Sequence, residues 1–236
     1  MVLTSLFDGR LEPLTYSIGF LRAPPERVAR AARWLYFRWP DAWRRVAVLD
    51  CGLEEALLQL QPLEGFLHPR VLVASTALNG WSAVFNGRIH GLGGRGLSVR
   101  LSRALRVPGY FVAAAPPALD PEHFPGFRQF YVLGPQTGRD HVRAVWVSEE
   151  EDVGRWHFGT DGEVQPYEDV EAYRRRRHTD RLTEQMLVDY AAAVGLRPWE
   201  DSFYRPPFHL ITSLRLGRDR FQRTLAQART EMKLDE

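Results

Sequence analysis

Cys51 is the single cysteine of the chain and therefore its one candidate thiol nucleophile. It follows the apolar run 46–49 and stands near the expected start of a helix, where the helix dipole lowers the pKa of a thiol. A lone cysteine beside an apolar strand is more typical of a buried packing residue, and no pattern fixes a histidine beside it. One cysteine also excludes an intrachain disulfide and a multi-cysteine zinc site. We predict a structural role for Cys51.

A glycine-rich segment from Gly91 to Gly96 matches G-x-G-x-x-G and precedes an expected helix. Such a loop can bind a pyrophosphate at the N-terminus of that helix. A dinucleotide-binding loop directly follows a buried parallel strand, whereas Asn86-Gly87 is a turn signal, and no acidic residue occurs between Gly96 and Asp120. This context favours a glycine loop without a cofactor.

The histidines give no sign of a metal site, because the chain's 7 are scattered and no H-E-x-x-H motif occurs. The motifs of serine hydrolases, P-loop nucleotide-binding proteins and kinases are absent too. The sequence therefore predicts no catalytic residue, no metal and no cofactor. An enzyme of unrecognised type, centred on Cys51 or on the glycine loop, stays an alternative.

Two arginine-rich stretches have the composition of a nucleic-acid surface, in which arginines bind phosphates and aromatic rings stack on bases. One is the run Arg174, Arg175, Arg176 and Arg177, and the other is the segment 22–45, where arginines alternate with aromatic residues. A helix would spread four successive arginines round its surface, and the formal net charge of the chain is only +2. Nucleic-acid binding is therefore the second interpretation rather than the first.

Acidic residues are concentrated in another part of the chain. Residues 71–119 hold five arginines and no acid, whereas residues 120–171 hold four arginines and twelve acids, a net charge of −8. Glu149, Glu150, Glu151 and Asp152 are expected at the exposed tip of a hairpin. Such a tip can steer a basic protein partner, with Trp146 and Trp156 as aromatic anchors. Pairing of these charges within the fold is an equally open interpretation.

The elements that would position these residues follow from hydrophobic periodicity. Strands are predicted near 14–21, 70–75, 80–86, 109–115, 127–133, 141–147, 154–158 and 208–216. Helices are predicted from Pro25 to before Pro40, and over 50–60, 97–106 and 184–194, with a last helix that begins at Asp219. Thr183 is the expected N-cap of the fourth helix, and Gly195 its expected C-terminal cap. This order predicts an α+β fold with a mostly antiparallel central sheet, flanking helices, a helical segment near the C-terminus, and a final strand and helix.

Composition sets the general class of the protein. A length of 236 residues with 44% hydrophobic residues favours a single α+β domain over 1–236. The N-terminus lacks the pattern of a secretory signal, and no apolar stretch is long enough to cross a membrane. We therefore expect a soluble cytoplasmic protein without a membrane partner.

A resemblance covers about residues 81–204. Its motifs are Gly154–Gly159, Pro166–Asp169, Tyr173–Arg177 and Asp180–Glu184, which lead to Tyr190. This pattern resembles uncharacterised proteins of GC-rich bacteria, some of which are similar to cytoplasmic immunity proteins of toxin systems. The resemblance implies a non-enzymatic, protein-binding inhibitor that occludes a site on a partner, such as a toxin with a basic site. It carries no catalytic residue.

Overall fold

A nine-stranded antiparallel sheet forms the centre of the protein. The computed structural model describes residues 4–35, 43–65, 70–91, 93–116, 125–135, 138–150, 154–214 and 222–235. In chain order the strands are β1 (Ser17–Leu21), β2 (Trp43–Leu49), β3 (Leu63–Glu64), β4 (Val71–Thr76), β5 (Ser82–Asn86), β6 (Gly109–Ala115), β7 (Phe127–Leu133), β8 (Arg143–Glu149), β9 (Trp156–Gly162), β10 (Tyr204–Leu214) and β11 (Gln222–Arg223). The short strands β3 and β11 pair only with each other.

The spatial order of the large sheet is β2-β10-β4-β5-β1-β6-β7-β8-β9. Every neighbouring pair in it is antiparallel, which confirms the predicted, mostly antiparallel central sheet. Strands β2 and β9 are therefore its two edges. Central strands such as β4 are buried on both faces, because Val71 and Val73 pack on one side and Leu72 and Ala74 on the other.

Five α-helices flank the sheet within the described residues. They are α1 (Pro25–Leu35), α2 (Leu53–Leu58), α3 (Gly94–Leu105), α4 (Glu184–Ala193) and α5 (Leu225–Glu231). Apolar residues of α1 and α3, such as Val28 and Leu101, pack on the face that carries Val73. Residues of α2, α4 and α5 pack on the opposite face, around Phe85 and Phe130. The α+β class is thus confirmed, with helices on both faces. None of the described helices combines the length and the apolar character that a membrane crossing requires.

Helix α4 has the ends that the sequence predicted. The Thr183 side chain accepts a hydrogen bond from the backbone N–H of Met186, at 3.2 Å. Gly195 has a φ of +81°, and the backbone N–H of Leu196 donates to the carbonyl of Ala191 at 2.9 Å. A left-handed residue after the last turn ends the helix because it redirects the chain at little cost for glycine. This cap fixes the segment that leads into β10.

The last helix begins later than the sequence predicted. Its N-cap is Thr224, which forms a capping box with Gln227. The predicted start, Asp219, lies outside the described residues, and residues 222–223 form β11 instead of helix. Because β11 pairs with β3 about 160 residues away, this strand depends on a long-range contact that local periodicity does not reveal.

Candidate functional site

Trp146 lies at the centre of the sheet face formed by β7, β8 and β9. In the strand register it stands opposite Gln129 of β7 and Gly159 of β9. Its indole ring lies across Gly159, where a Cβ atom would overlap the ring. The indole is therefore held against the backbone of the edge strand and is half-buried. A side chain fixed in this way presents one ring face without a large loss of conformational freedom.

Polar residues lie beside this tryptophan towards the edge of the sheet, whereas on its other side it packs against the apolar cluster that contains Phe127 and Tyr131. Because side chains alternate along strands, Ser148, His157 and Asp161 project to the same side as Trp146. His157 and Asp161 are exposed, and Ser148 is half-buried. Among the described helices, α3 packs mainly over β1 and β6 and also contacts β7. We call this surface the open face, defined by Gln129, Trp146, Ser148, His157, Gly159 and Asp161.

Two histidine–carboxylate pairs stand at the rim of the open face. Nε2 of His141 lies 2.9 Å from Oδ2 of Asp161, and Nε2 of His157 lies 3.0 Å from Oε2 of Glu150. The hydrogen bond from His141 is the main cause that lowers the pKa of the Asp161 carboxyl, so this acid stays ionised at neutral pH. The rim thus carries negative charge beside an aromatic centre.

The predicted acidic tip is only partly within the described residues. Glu149 ends β8, and its carboxylate accepts a hydrogen bond from the backbone N–H of Gly126 at 3.2 Å. Glu150 follows and pairs with His157. The other two residues of the tip, Glu151 and Asp152, lie outside the described residues. Both described acids therefore have partners within the fold.

Trp156, the second predicted anchor, lies on the opposite side of the sheet. It pairs in register with Glu149 of β8, so the two side chains share a face of the sheet. Glu149 is an odd number of residues from Trp146, and because side chains alternate along a strand, that face is the one opposite Trp146. The Trp156 ring packs against the main core, with the Arg128 guanidinium 5.5 Å from its centroid. A flat partner surface that contacts Trp146 cannot also contact this ring. The structure thus places on opposite faces of the sheet the two tryptophans that the sequence analysis proposed as anchors of one surface.

Much of the acidic segment is paired internally. Asp140 lies 3.1 Å from Arg103 of α3, which links the acidic segment to the basic one. Glu171 pairs with Arg174 at 3.1 Å. Exposed pairs of this kind contribute little to stability, but they reduce the electrostatic field that the sequence suggests. Internal pairing, one of the two interpretations left open by the sequence, therefore describes most of the acids in the described part of this segment.

A buried network centred on Arg143 was not predicted from the sequence. Its guanidinium binds Glu168 through two hydrogen bonds of 2.9 and 2.6 Å, and the two side chains are only 3% and 1% exposed. Tyr173 donates to Glu168 at 2.8 Å, and the hydroxyls of Tyr173 and Tyr190 lie 3.0 Å apart. Burial would lower the pKa of Arg143, but its bonds to Glu168 raise it. These hydrogen bonds hold the segment after β9 against the sheet, and the side chains of Arg143 and Glu168 are shielded from solvent.

The arginine run 174–177 does not form the α-helix that the sequence analysis assumed. Arg174 ends a 3-10 turn that spans Ala172–Arg174, and the following backbone is extended at Arg175 and Arg177. Arg175 lies 3.8 Å from Asp169. All four arginines are exposed. The neighbouring Tyr173 is bonded to Glu168 inside the network, so its ring is not a free stacking platform beside the run.

Cys51 lacks the environment of a reactive thiol. Burial, followed by the nearby charges of Glu55 and Asp50, raises the pKa of this thiol. The adjacent helix α2 has only six residues, and Cys51 packs against the main core. A raised pKa keeps the thiol protonated and poorly nucleophilic at neutral pH.

Other atoms of the protein occupy the space next to Gly91 and Gly94 of the glycine loop. A Cβ at Gly91 would clash with the carbonyl oxygen of Pro13, and a Cβ at Gly94 would lie 2.7 Å from Oγ of Ser17. Ser17 in turn donates a hydrogen bond of 2.5 Å to the carbonyl of Gly91. These glycines allow the loop to approach β1 closely, which leaves no cradle for a pyrophosphate at Gly91 and Gly94.

Metal ligands do not converge in the part of the chain that the structure describes, where no group of three His, Cys, Asp or Glu side chains is placed to hold an ion. Comparisons of the sequence with protein-family models and curated proteins, and of the structure with solved structures, found no match. The similarity of residues 81–204 to immunity proteins therefore stays a prediction.

Proposed function

We propose that this protein is a non-enzymatic protein-binding module, an inhibitor of the immunity or antitoxin type, that binds its partner through the open face. The observation that carries the proposal is the position of Trp146, half-buried on β8 beside the exposed edge-strand residues His157 and Asp161 and held against Gly159. Protein interfaces have this arrangement, in which an aromatic anchor is surrounded by polar groups that exclude water.

The rigidity of the Trp146 side chain supports the proposal that the open face binds a partner. Trp146 projects from a strand that is paired on both sides, with β7 and with β9. Its ring rests on the backbone at Gly159 and therefore has little rotamer freedom to lose on binding. Binding costs are smaller when the anchor is already ordered, because less side-chain entropy is lost.

The charges at the rim suggest the chemistry of the partner. Asp161 is 55% exposed and Glu150 is 53% exposed, and both flank the aromatic centre. The acidic residues 149–152 continue this rim in the sequence. Carboxylates round an anchor favour a partner with a basic surface, chiefly by increasing the association rate. A toxin whose active site is basic would fit this description.

Nucleic-acid binding has one specific observation in its favour, the exposure of Arg176 and Arg177. The open face itself argues against it, because its rim is acidic and would repel phosphates. The two interpretations thus use different surfaces. A change at Trp146 tests the first, and a change at Arg176 and Arg177 tests the second.

Site-specific photo-crosslinking in the source cells tests the proposal. A photoreactive amino acid replaces Ser148 on the open face, and a matched variant carries it at the exposed Gln59, at the end of α2 on the opposite side. We expect a discrete protein adduct from position 148 that is absent from position 59 and is lost when Trp146→Ala is added. Adducts of equal yield at both positions, or an adduct that Trp146→Ala leaves unchanged, would rule out the open face as the binding surface.

A further inference from the structure

Strand β2 forms the edge of the large sheet that lies farthest from the open face. It is the first strand in the spatial order, and β9 is the last. Among the described strands only β10 pairs with β2, in an unbroken register from Trp43 opposite Leu214 to Leu49 opposite Phe208. An edge strand without a bulge presents its outer backbone N–H and C=O groups as a template for one more strand.

The centre of β2 lacks the features that usually protect a sheet edge. Residues 46–49 form the apolar run Val-Ala-Val-Leu. Val48 is 62% exposed, and the other three residues are half-buried. Charged side chains, prolines and bulges normally prevent an edge strand from pairing with another chain. Since this run has none of them, a partner strand would bury apolar surface here as well as form backbone hydrogen bonds.

The charges at the two ends of this run make the edge complementary to a copy of itself. Because side chains alternate along a strand, one side of β2 reads Arg44, Val46, Val48 and then Asp50, which is exposed directly after the strand. When two copies align antiparallel with Ala47 opposite its counterpart, position 44 of each copy lies opposite Asp50 of the other. Each Val46 then lies opposite a Val48. Opposite charges and apolar pairs directly across an antiparallel ladder are stabilising.

The other side of β2 is compatible with the same register. It carries Arg45, Ala47 and Leu49. The exposed Arg45 of one copy lies opposite Leu49 of the other, which its aliphatic part can cover. A shift of two residues in either direction loses the charge pairs, because position 44 then meets Val48 or Asp50 meets Val46. The sequence of the edge therefore favours one register.

We propose that two copies of this chain form a two-fold symmetric dimer in which β2 pairs antiparallel with β2, so that the two sheets become one continuous sheet. A second copy fits this edge because the pattern of charged and apolar residues complements itself, as an interface between identical surfaces requires. The dimer leaves both open faces uncovered, since they lie at the far ends of the joined sheet. It is therefore additional to the proposed partner binding and does not depend on it.

Sedimentation velocity of the full-length protein tests the proposal. We expect a monomer–dimer equilibrium with a Kd of about 10 µM or lower, so that a sample at about 100 µM is mostly dimer. Val48→Lys should weaken the dimer at least about tenfold, because it places a hydrated charge opposite Val46. Val164→Lys is the matched control, since Val164 is 51% exposed and follows β9, and it should dimerise like the wild type.

A charge exchange tests the register itself. Arg44→Asp and Asp50→Arg each place like charges opposite one another twice in the dimer, so each single variant should weaken it by about tenfold. An equimolar mixture of the two single variants should dimerise again, because every such pair in the mixed dimer has opposite charges. Circular dichroism checks that each variant is folded. A wild type that is monomeric at about 100 µM, a Val48→Lys variant that dimerises like the wild type, or a mixture that stays monomeric would each overturn the proposal.

Discussion

The buried pair Arg143–Glu168 provides the sharpest prediction about stability. Glu168→Gln preserves the size of the side chain but removes the negative charge that faces a guanidinium only 3% exposed. The amide must also turn one N–H donor towards the arginine, in place of an oxygen that accepts at 2.6 Å. Removing one partner of a buried ion pair costs about 3–5 kcal/mol, because the remaining charge has no partner in a site closed to water.

For a domain of this size, 1 kcal/mol corresponds to about 2–4 °C in Tm, so the variant should melt about 6–20 °C below the wild type. Glu163→Gln is the matched control, since Glu163 is exposed on the same segment, and it should leave Tm within about 1–2 °C. The assay is thermal unfolding followed by circular dichroism. A Glu168→Gln variant with the same Tm as the wild type would contradict the conclusion that Arg143 and Glu168 form a buried ion pair.

The double variant Arg143→Met/Glu168→Leu separates charge from packing. Replacing a buried ion pair by apolar residues of similar volume is often neutral, so the double variant should regain most of the Tm lost by Glu168→Gln. A double variant less stable than the single one would mean that the bonds from Arg143 to the Gly162 carbonyl and from Tyr173 to Glu168 matter more than the charge.

Three further outcomes follow from the structure. The thiol of Cys51 should react slowly with a disulfide reagent at pH 7, because its pKa is raised; labelling as fast as a free thiol would contradict this environment. The pKa values of Tyr167, Tyr173 and Tyr204 are raised, chiefly by burial. The stabilisation that these raised pKa values provide is therefore full below pH 10. Above pH 10 it should fall by about 1.4 kcal/mol per pH unit for each tyrosine. Thermal melts at pH values from 9 to 11 would reveal this loss. Replacing the four acids at 149–152 by serine should slow association with a basic partner, and the difference should shrink as salt rises; equal rates in stopped-flow mixing would exclude these acids from steering.

The sequence was most informative where local rules decide the structure. The two ends of α4 followed from Thr183 and Gly195, because capping depends on residues close in sequence. Strand β9 was predicted to end at residue 158 but continues to Gly162. Its last residues are polar because this is an edge strand, and edge strands do not show the apolar alternation of a buried one.

Sequence reasoning predicted only part of the candidate site. Trp146 was proposed as an anchor from its type and strand position, and the structure places it half-buried on the same face as the exposed His157 and Asp161. The opposite orientation of Trp156 depends on the register across the β8–β9 hairpin, which single-sequence patterns do not determine. The partners Arg143 and Glu168 lie 25 residues apart, and no local pattern links them.

The affinity of the Trp146→Ala variant for the partner crosslinked at position 148 tests the central claim most directly. Trp34→Ala is the matched control, because Trp34 lies on α1 and is 60% exposed. An aromatic hot spot contributes about 2 kcal/mol or more, so calorimetry should show a Kd at least about 30-fold weaker for Trp146→Ala and unchanged for Trp34→Ala. A folded Trp146→Ala variant that binds the purified partner as tightly as the wild type would contradict the claim that the open face is the binding surface.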